Sequence, residues 1–260
     1  MRRARPLLVL LAVAWLGVTL RAAPSQHVTV AAAADLQFAL AEVDAAFSRA
    51  HPDIAVSASY GSSGAFYAQI MNGAPYDVFL SADEDYPQKL VQAGLANGAS
   101  AFRYSRGRLV LWVPKGSPIP LERLGMKALL DPSVQRIAIA NPRHAPYGRA
   151  AETALAKLGL LAAVRPRLVY GENISQTAQF VQSGAAQIGF LARSLAVSPA
   201  LAAAGRSFAV PLEAYPPLDQ GAVILASARD NAAARAFCAF LRGPEGRAIL
   251  KRYGFMVGGL

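Results

Sequence analysis

Cysteine and histidine are scarce in this sequence of 260 residues, which contains one cysteine and three histidines. A single cysteine, Cys238, excludes an internal disulfide bond, and its apolar surroundings (AAARAFCAFL) predict a small buried core residue. The histidines His27, His51 and His144 are too few and too far apart in the sequence for a convincing metal site. Disulfide-stabilised and metal-dependent proteins are therefore not favoured.

Nucleotide-binding and metalloprotease motifs are absent as well. The sequence has no Walker A, GxGxxG or HExxH pattern, no repeat and no low-complexity tract. Lys and Arg residues outnumber Asp and Glu residues, 26 to 16, but beyond the N-terminal region they are scattered. Scattered basic residues do not make a nucleic-acid interface. No nucleic-acid partner is expected, and the excess of positive charge would instead help to attract an anion.

One long apolar run lies near the N-terminus, from Leu7 to Leu20. Three arginines precede it and the small residues Ala22 and Ala23 follow it, which predicts a secretory signal peptide covering residues 1–23. A membrane anchor is the alternative, but the run is shorter than the ~20 apolar residues of a typical span. No cysteine follows it to carry a lipid. Without this segment the chain has 22 basic and 16 acidic residues, a net charge of +6.

Short apolar strands and amphipathic helices alternate along the rest of the chain. The predicted strands are residues 28–31, 54–60, 77–80, 109–113, 137–140, 167–170, 188–191, 208–210 and 222–225, and the predicted helices are residues 36–50, 66–71, 83–93, 147–158, 174–183, 231–241 and 245–253. This alternation predicts an α/β fold with mainly parallel sheets and helices on both faces. In proteins of this fold class, we expect the ligand cleft to lie at the carboxyl ends of the strands.

Proline-marked strands near residues 108–114 and 210–217 indicate that the chain crosses twice between two lobes. We therefore expect two doubly wound lobes. The first would contain residues 24–107 and 212–260, and the second would contain residues 108–211. The ligand cleft would lie between them.

Small or turn-forming residues fill four junctions between a strand and the helix that follows it. These junctions are residues 31–35 (AAAAD), 61–64 (GSSG), 141–146 (NPRHAP) and 171–173 (GEN). A helix start offers free backbone N–H donors and a partial positive charge, so several converging starts can bind an anion without Lys or Arg. Ordinary helix caps give the same pattern, and both interpretations stay open at this point.

Two residues at these junctions could act on a ligand. Ser63 could be a helix cap, a ligand donor or both. A serine hydrolase is the alternative, but the G-x-S-x-G motif needs glycine where Ala65 stands, and only His144 follows as a possible base. Tyr147 begins the helix after the third junction, where it could offer N–H and O–H groups or pack as an aromatic core residue.

Three acidic residues lie near the junctions. We expect Asp35 to cap the helix that begins at Leu36, with its side chain turned away from an anion. The alternative role for Asp35 is to accept a hydrogen bond from a protonated oxyanion such as phosphate. Asp77 and Asp83 are expected to cap or brace turns rather than to perform acid–base chemistry.

With these residues the chain resembles the periplasmic molybdate-binding proteins of bacterial molybdate ABC transporters. The matching segments, in order through nearly the whole chain after residue 23, are VAAAADLQFAL, YGSSGAFYAQIMNGAPYDVFLSADEDYPQKL, NPRHAPYGRAAETALAKLG, GENISQTAQFV, AAQIGFLA and GPEGRAILKRYGF. The resemblance implies the type II periplasmic-binding fold, in which two α/β lobes close on a hinge. It implies a monomeric periplasmic receptor, not an enzyme and without a cofactor, whose partners are the oxyanion, a membrane permease and a cytoplasmic ATPase.

The resemblance also implies that neutral donors hold the oxyanion, molybdate or tungstate, with no direct ligand to the metal. Carried over by motif, the implied ligand-binding residues are Ala34, Asp35, Ser62, Ser63, Tyr147, Asn173 and Ile174. Among these, Ser63 would supply a hydroxyl and an N–H group, and the Ala34–Asp35 turn would face the ligand. Tyr147 and Ile174 would donate backbone N–H groups from the second lobe.

Two departures from the family pattern remove hydroxyl donors. Alanine occupies position 34, where members commonly have serine, and position 192, near a tyrosine that some members use. We expect the O–H of Tyr147 to replace the second of these contacts. Because the departures concern the donors, sulfate and phosphate stay open as alternative ligands.

Overall fold

The computed structural model of the protein describes residues 25–258. The predicted signal peptide, residues 1–23, lies outside the described residues. Within them, ten strands form two five-stranded sheets. The strands are β1 (Gln26–Ala33), β2 (Ile54–Gly61), β3 (Val78–Leu80), β4 (Phe102–Gly107), β5 (Leu109–Pro114), β6 (Ile137–Ala140), β7 (Leu168–Gly171), β8 (Ile188–Ala192), β9 (Gly205–Ala209) and β10 (Leu218–Ile224).

Helices cover both sheets. The α-helices are α1 (Gln37–Ala50), α2 (Ser63–Met71), α3 (Asp85–Gln92), α4 (Leu121–Leu124), α5 (Pro146–Lys157), α6 (Leu161–Val164), α7 (Ile174–Gln182), α8 (Arg193–Ala196), α9 (Pro199–Ala204), α10 (Ala232–Arg242) and α11 (Pro244–Arg252). Short 3₁₀ helices span Ala34–Leu36, Gly98–Ser100, Gly125–Leu130, Arg165–Arg167, Leu212–Ala214 and Ala226–Ala228. In the described part of the chain, no helix is both long and apolar enough to cross a membrane.

Each sheet forms the centre of one lobe. The first lobe has the strand order β2-β1-β3-β10-β4, and the second has the order β7-β6-β8-β5-β9. The chain passes from the first sheet to the second between Gly107 and Leu109 and returns between Ala209 and Leu218. This architecture confirms the predicted α/β class with two lobes, while the residue limits of the lobes stay a prediction.

Parallel and antiparallel pairings are equally represented, so the prediction of mainly parallel sheets is wrong. β1 pairs in parallel with β2 and β3, and β6 pairs in parallel with β7 and β8. β10 and β5 are antiparallel to both of their neighbours. The reason is that β5 and β10 are the strands on which the chain enters each sheet from the other lobe. They run away from the cleft, whereas β1, β2, β6 and β7 run toward it.

Apolar runs in the sequence account for the buried centre of each lobe. Trp112 in β5 and Phe190 in β8 are fully buried in the second lobe. In the first lobe, Phe47 of α1 packs edge-on against Phe237 of α10, with ring centroids 5.4 Å apart. Cys238 is buried beside this pair, as predicted. Burying such side chains removes apolar surface from water, the main contribution that stabilises a fold of this kind.

Some strands and helices were missed, or were predicted with other bounds, where polar residues interrupt the apolar pattern. β4 was not predicted, because its sequence FRYSRG carries too little apolar periodicity. β10 begins at Leu218, four residues before the predicted strand, since Asp219 and Gln220 interrupt its apolar run. α2 begins at Ser63, before the predicted start at residue 66.

Candidate functional site

The four strand-to-helix junctions that the sequence singled out meet between the lobes. The N–H of Gly64 in the first lobe donates to the carbonyl oxygen of His144 in the second, at 2.9 Å. The hydroxyl of Ser175 in the second lobe donates to the carbonyl oxygen of Ala34 in the first, at 3.1 Å. The lobes are therefore in contact, and the junctions border one shared region.

Asp35 lies in the first junction, inside the 3₁₀ turn that follows β1. Its side chain is 1% exposed. Its Oδ2 accepts hydrogen bonds from the hydroxyl of Tyr147 at 2.9 Å and from Nε2 of Gln220 at 2.6 Å. The predicted cap at Leu36 is wrong, because Asp35 sits within the turn and makes no side-chain cap bond. Its carboxylate instead joins the two lobes.

A buried polar network surrounds this carboxylate. Oε1 of Gln220 accepts from the hydroxyl of Ser105 at 2.8 Å, and the hydroxyl of Ser194 donates to the backbone oxygen of Asp35 at 2.7 Å. The network lies against Gly107, where a side-chain Cβ would come within 2.2 Å of the Tyr147 hydroxyl oxygen. It therefore sits at the point where the chain crosses between lobes.

Burial controls the protonation of Asp35. Desolvation raises the pKa of the Asp35 carboxyl to about 6, although the hydrogen bonds from Gln220 and Tyr147 act in the opposite direction. Its Oδ1 is buried and has no hydrogen-bond partner among the described residues. No Lys or Arg of the described chain forms a salt bridge with this carboxylate. The site therefore contains a buried acid that is stabilised by neutral groups alone.

The sequence left two roles open for Ser63, that of a helix cap and that of a ligand donor. In the structure the cap is the neighbouring residue, Ser62. Ser62 is the cap of α2, and its Oγ accepts from the N–H of Ala65 at 3.4 Å. Ser63 is the first helical residue, and its buried Oγ accepts from the N–H of Ala82 at 2.9 Å. That bond uses a lone pair of the Ser63 oxygen and leaves its hydroxyl hydrogen free to donate.

The helix starts of the second lobe present backbone N–H groups. Tyr147 follows Pro146, the first residue of α5, and Ile174 is the first residue of α7. The Asn173 side chain caps α7, accepting from the N–H groups of Ser175 at 2.9 Å and of Gln176 at 3.0 Å. The N–H of Ile174 is not part of that cap.

Three backbone N–H groups at these helix starts, each of a buried residue, have no protein acceptor within residues 25–258. They belong to Ser63, Tyr147 and Ile174, which are at most 4% exposed. A buried backbone donor without a partner is costly and rare in folded proteins. The three groups therefore form a donor set suited to an anion, without a positive side chain.

The expectation for the Tyr147 hydroxyl is wrong. It donates to Asp35 rather than replacing a ligand contact, since the start of α5 directs it into the buried network. Ala192 ends β8 and is fully buried, so the methyl group there offers no donor.

The sequence analysis missed Gln220 and Ser194. The one available signal was the polar Gln220 within the mostly apolar strand LDQGAVI.

A nucleophile arrangement is not built around Ser63. Nδ1 of His144 lies 2.8 Å from Oγ of Ser62, and Nε2 of His144 lies 3.4 Å from Glu172. Ser63 has no histidine partner in the described part of the chain. Burial raises the pKa of the Cys238 thiol to about 12, so this thiol is not poised as a nucleophile either.

Acidic residues beside the site brace the structure as expected. Asp77 Oδ2 accepts from the N–H of Thr29 at 2.6 Å. Asp83 Oδ1 accepts from the Ser81 hydroxyl at 2.9 Å, and its Oδ2 pairs with Arg149 of the second lobe at 2.5 Å. Asp83 lies in an interlobe cavity of about 420 Å³ whose remaining acidic lining residues are Glu84, Asp85 and Asp219. Arg149 also lines this cavity, and Asp83, Glu84 and Asp219 all form ion pairs with arginines.

Two α/β lobes joined by two crossings, with helix starts facing a common cleft, define a two-lobed ligand-binding protein of the periplasmic-binding type. The chain belongs to a family described as Bacterial extracellular solute-binding protein, whose profile matches residues 28–256.

Two similar sequences and one solved structure support this assignment. The molybdate-binding protein ModA of Azotobacter vinelandii is 38% identical over 92% of this chain and 93% of its own. The molybdate-binding protein ModA of Rhodobacter capsulatus is 39% identical over 93% of this chain and 92% of its own. The solved structure of the Azotobacter vinelandii periplasmic molybdate-binding protein superposes with a TM-score of 0.82 at 37% identity, covering 88% of this chain and 98% of that one.

Proposed function

We propose that this protein is an extracytoplasmic receptor that captures molybdate, and also tungstate, and delivers it to an ABC importer. The receptor would work as a monomer in the periplasm after removal of residues 1–23. Its partners would be a membrane permease and the cytoplasmic ATPase of that importer. Two relatives at 38% and 39% identity that carry the name molybdate-binding protein support this proposal.

The observation that carries the proposal is the set of backbone N–H groups of the buried residues Ser63, Tyr147 and Ile174, for which no acceptor lies within residues 25–258. In our proposal these groups and the Ser63 hydroxyl hold the oxygen atoms of the anion. Each hydrogen bond to a charged group contributes roughly 1.5–3 kcal/mol. Four such bonds would contribute roughly 6–12 kcal/mol before the entropic cost of binding is subtracted.

The remaining site residues would shape this donor set. Ser62 and Asn173 cap the helices whose N–H groups bind the ligand. The Ala34–Asp35 turn would face the ligand from the first lobe. Molybdate is a transported ligand here rather than a cofactor, and its oxygen atoms rather than its metal would contact the protein. We assign no catalytic role to Ser63, and the relatives named above are solute-binding proteins.

Closure of the lobes would follow from the distribution of donors. Ser63 belongs to the first lobe, and Tyr147 and Ile174 belong to the second. A ligand that accepts hydrogen bonds from both lobes stabilises the closed state over the open state by its differential affinity. The permease would then recognise the closed form.

A titration panel tests the proposal directly. Isothermal titration of the protein lacking residues 1–23 should give heat with molybdate and with tungstate, and weaker or no binding of sulfate and phosphate. Selectivity over sulfate would come from the size of the cavity, because the neutral donors carry no charge that distinguishes one dianion from another. Tight binding of sulfate or phosphate without heat from molybdate or tungstate would contradict the proposal.

A further inference from the structure

The carboxyl group of Asp35 is enclosed by both lobes. Gln220 of the first lobe and Tyr147 of the second lobe donate to its Oδ2, and Ser194 of the second lobe binds its backbone oxygen. Asp35 is 1% exposed. Because two of these three groups come from the second lobe, opening of the cleft would remove them and return the carboxyl to water.

Within residues 25–258, no cationic side chain forms a salt bridge with this carboxylate. The groups that face it are the neutral amide of Gln220 from β10, the hydroxyls of Tyr147 from α5 and Ser194 from α8, and the phenol of Tyr104 from β4. Burial raises the pKa of both tyrosines, so both stay neutral. The carboxylate of Asp83, on the loop after β3, also acts on Tyr104, but it is paired with Arg149.

The proposed ligand adds negative charge to the same region. Molybdate carries two negative charges, and the backbone N–H of Tyr147, whose hydroxyl binds Asp35, is one of its proposed donors. A carboxylate and a dianion enclosed together in a region of low dielectric repel each other strongly. Protonation of the carboxyl removes that repulsion.

We propose that Asp35 takes up a proton as the lobes close around the oxyanion, so that the protein binds the anion and one proton together. This inference rests on the proposed function. It assigns to Asp35 a role in setting affinity that is separate from donation by Ser63, Tyr147 and Ile174.

The geometry also identifies the oxygen that receives the proton. Oδ2 already accepts two hydrogen bonds, at 2.9 Å from Tyr147 and at 2.6 Å from Gln220. Oδ1 is buried and has no hydrogen-bond partner in the part of the chain that the structure describes. A proton on Oδ1 leaves both existing bonds intact and turns an unpaired acceptor into a donor. In the closed structure the pKa of Asp35 is already raised to about 6 by burial, and a nearby dianion would raise it further.

Proton uptake has a measurable consequence for affinity. When binding takes up a proton, affinity rises as the pH falls, by up to tenfold per pH unit where the uptake is one full proton. The effect should be strongest above the pKa of Asp35 in the free protein and below its pKa in the complex. Molybdate affinity should therefore fall as the pH is raised from 6 to 8.

Isothermal titration with molybdate at pH 6.5, repeated in MES, Bis-Tris and imidazole buffers, tests this inference. The dependence of the observed heat on the ionisation enthalpy of the buffer gives the number of protons taken up. The wild-type protein should take up between half a proton and one proton, and Asp35→Asn should bind molybdate with no uptake. Asp44→Asn is the matched control, because Asp44 also has a buried oxygen without a partner among residues 25–258 and a pKa raised by burial, but lies on α1. That variant should keep the wild-type uptake.

The wild-type measurement stands on its own if Asp35→Asn does not fold, which thermal unfolding would reveal. Molybdate binding by the wild-type protein without proton uptake would overturn this inference and leave the proposed function intact. Equal uptake by wild type and a folded Asp35→Asn variant would also overturn it. Absence of molybdate binding by the wild-type protein would instead contradict the proposed function itself.

Discussion

In each lobe, two of the three parallel strands that run toward the cleft lead into the helix starts of the candidate site. β1 and β2 do so in the first lobe, and β6 and β7 do so in the second. The sheet orders correspond strand by strand, with β10 and β5 as the matching antiparallel strands. The two lobes thus place equivalent helix starts on opposite sides of the cleft.

The equivalent helix starts nevertheless carry different chemistry. In our proposal the first lobe contributes the N–H and the hydroxyl of Ser63, and it also carries the buried carboxyl of Asp35. The second lobe contributes the backbone N–H groups of Tyr147 and Ile174, and the Tyr147 hydroxyl is used by Asp35 rather than offered to the ligand. Side-chain deletions should therefore affect binding mainly in the first lobe. In the second lobe, changes should act through the position of the backbone.

Gly148→Ala should have the largest effect, because it tests the backbone of the second lobe directly. A Cβ at Gly148 would lie 2.1 Å from the carbonyl oxygen of Ala140, so the start of α5 would have to move away from β6. We expect a loss of about 3 kcal/mol in the free energy of unfolding, the upper end of typical overpacking costs. Molybdate binding should weaken as well, since the N–H of Tyr147 moves with the helix. Urea unfolding and isothermal titration measure the two effects.

Gly116→Ala is the control for that variant. Gly116 lies in a turn of the second lobe where an added Cβ meets no atom within 4 Å. It should keep the stability and affinity of the wild-type protein. Unchanged molybdate affinity in Gly148→Ala, together with unchanged stability, would show that the second lobe does not depend on a fixed helix start.

Local sequence patterns were sufficient to predict several of the strands and helix starts that the two lobes share. β6 was predicted at its observed bounds, and the predicted start of α7 at Ile174 is also the observed one, because an apolar run and an asparagine cap are local signals. The direction of β5 and β10 was not predictable in the same way. It depends on the point at which the chain enters each sheet, which no local pattern records.

Ser63→Ala should have the second largest effect and tests the side-chain contribution of the first lobe. Loss of the hydroxyl should weaken molybdate binding by about 1–3 kcal/mol if it donates directly to the anion. The N–H of Ala82 would also lose its acceptor, so stability should be measured separately by thermal unfolding. Isothermal titration gives the change in affinity.

Ser62→Ala is the matched comparison for that measurement. The Ser62 oxygen caps α2 through a long bond of 3.4 Å to Ala65 and contacts His144, and neither contact requires a ligand. Its affinity should fall less than that of Ser63→Ala. An equal loss in both variants would mean that Ser63 acts through the helix start rather than through its own hydroxyl.

The long-range part of the candidate site could not be predicted from sequence for a physical reason. Asp35 is separated from Tyr147 by 112 residues and from Gln220 by 185 residues. A carboxylate just before a helical stripe favours a cap when only neighbours in sequence are considered. Its actual partners are brought to it by the crossing of the chain and by closure of the lobes. The polar Gln220 in β10 is a signal of a buried polar contact, but it does not identify Asp35 as the partner.

Asn173→Ala should have the smallest effect, and it separates a cap from a ligand donor in the second lobe. Asn173 accepts from two N–H groups of α7, so its loss should lower stability by about 1 kcal/mol. Asn231→Ala is the matched control, since Asn231 caps α10 in the same way through Ala233 and Ala234. Both variants should lose similar stability in urea unfolding, but only the change at Asn173 should weaken molybdate binding.

Asn173→Asp tests whether the site tolerates a negative charge at a position where the helix cap is kept. Aspartate caps a helix about as well as asparagine does, so the stability of α7 should be retained. Its negative charge, however, would lie one residue before the N–H of Ile174 and would repel the bound dianion. We therefore expect weaker molybdate binding at wild-type stability. If affinity were unchanged, the start of α7 would not border the anion, and the second lobe would contribute only through α5.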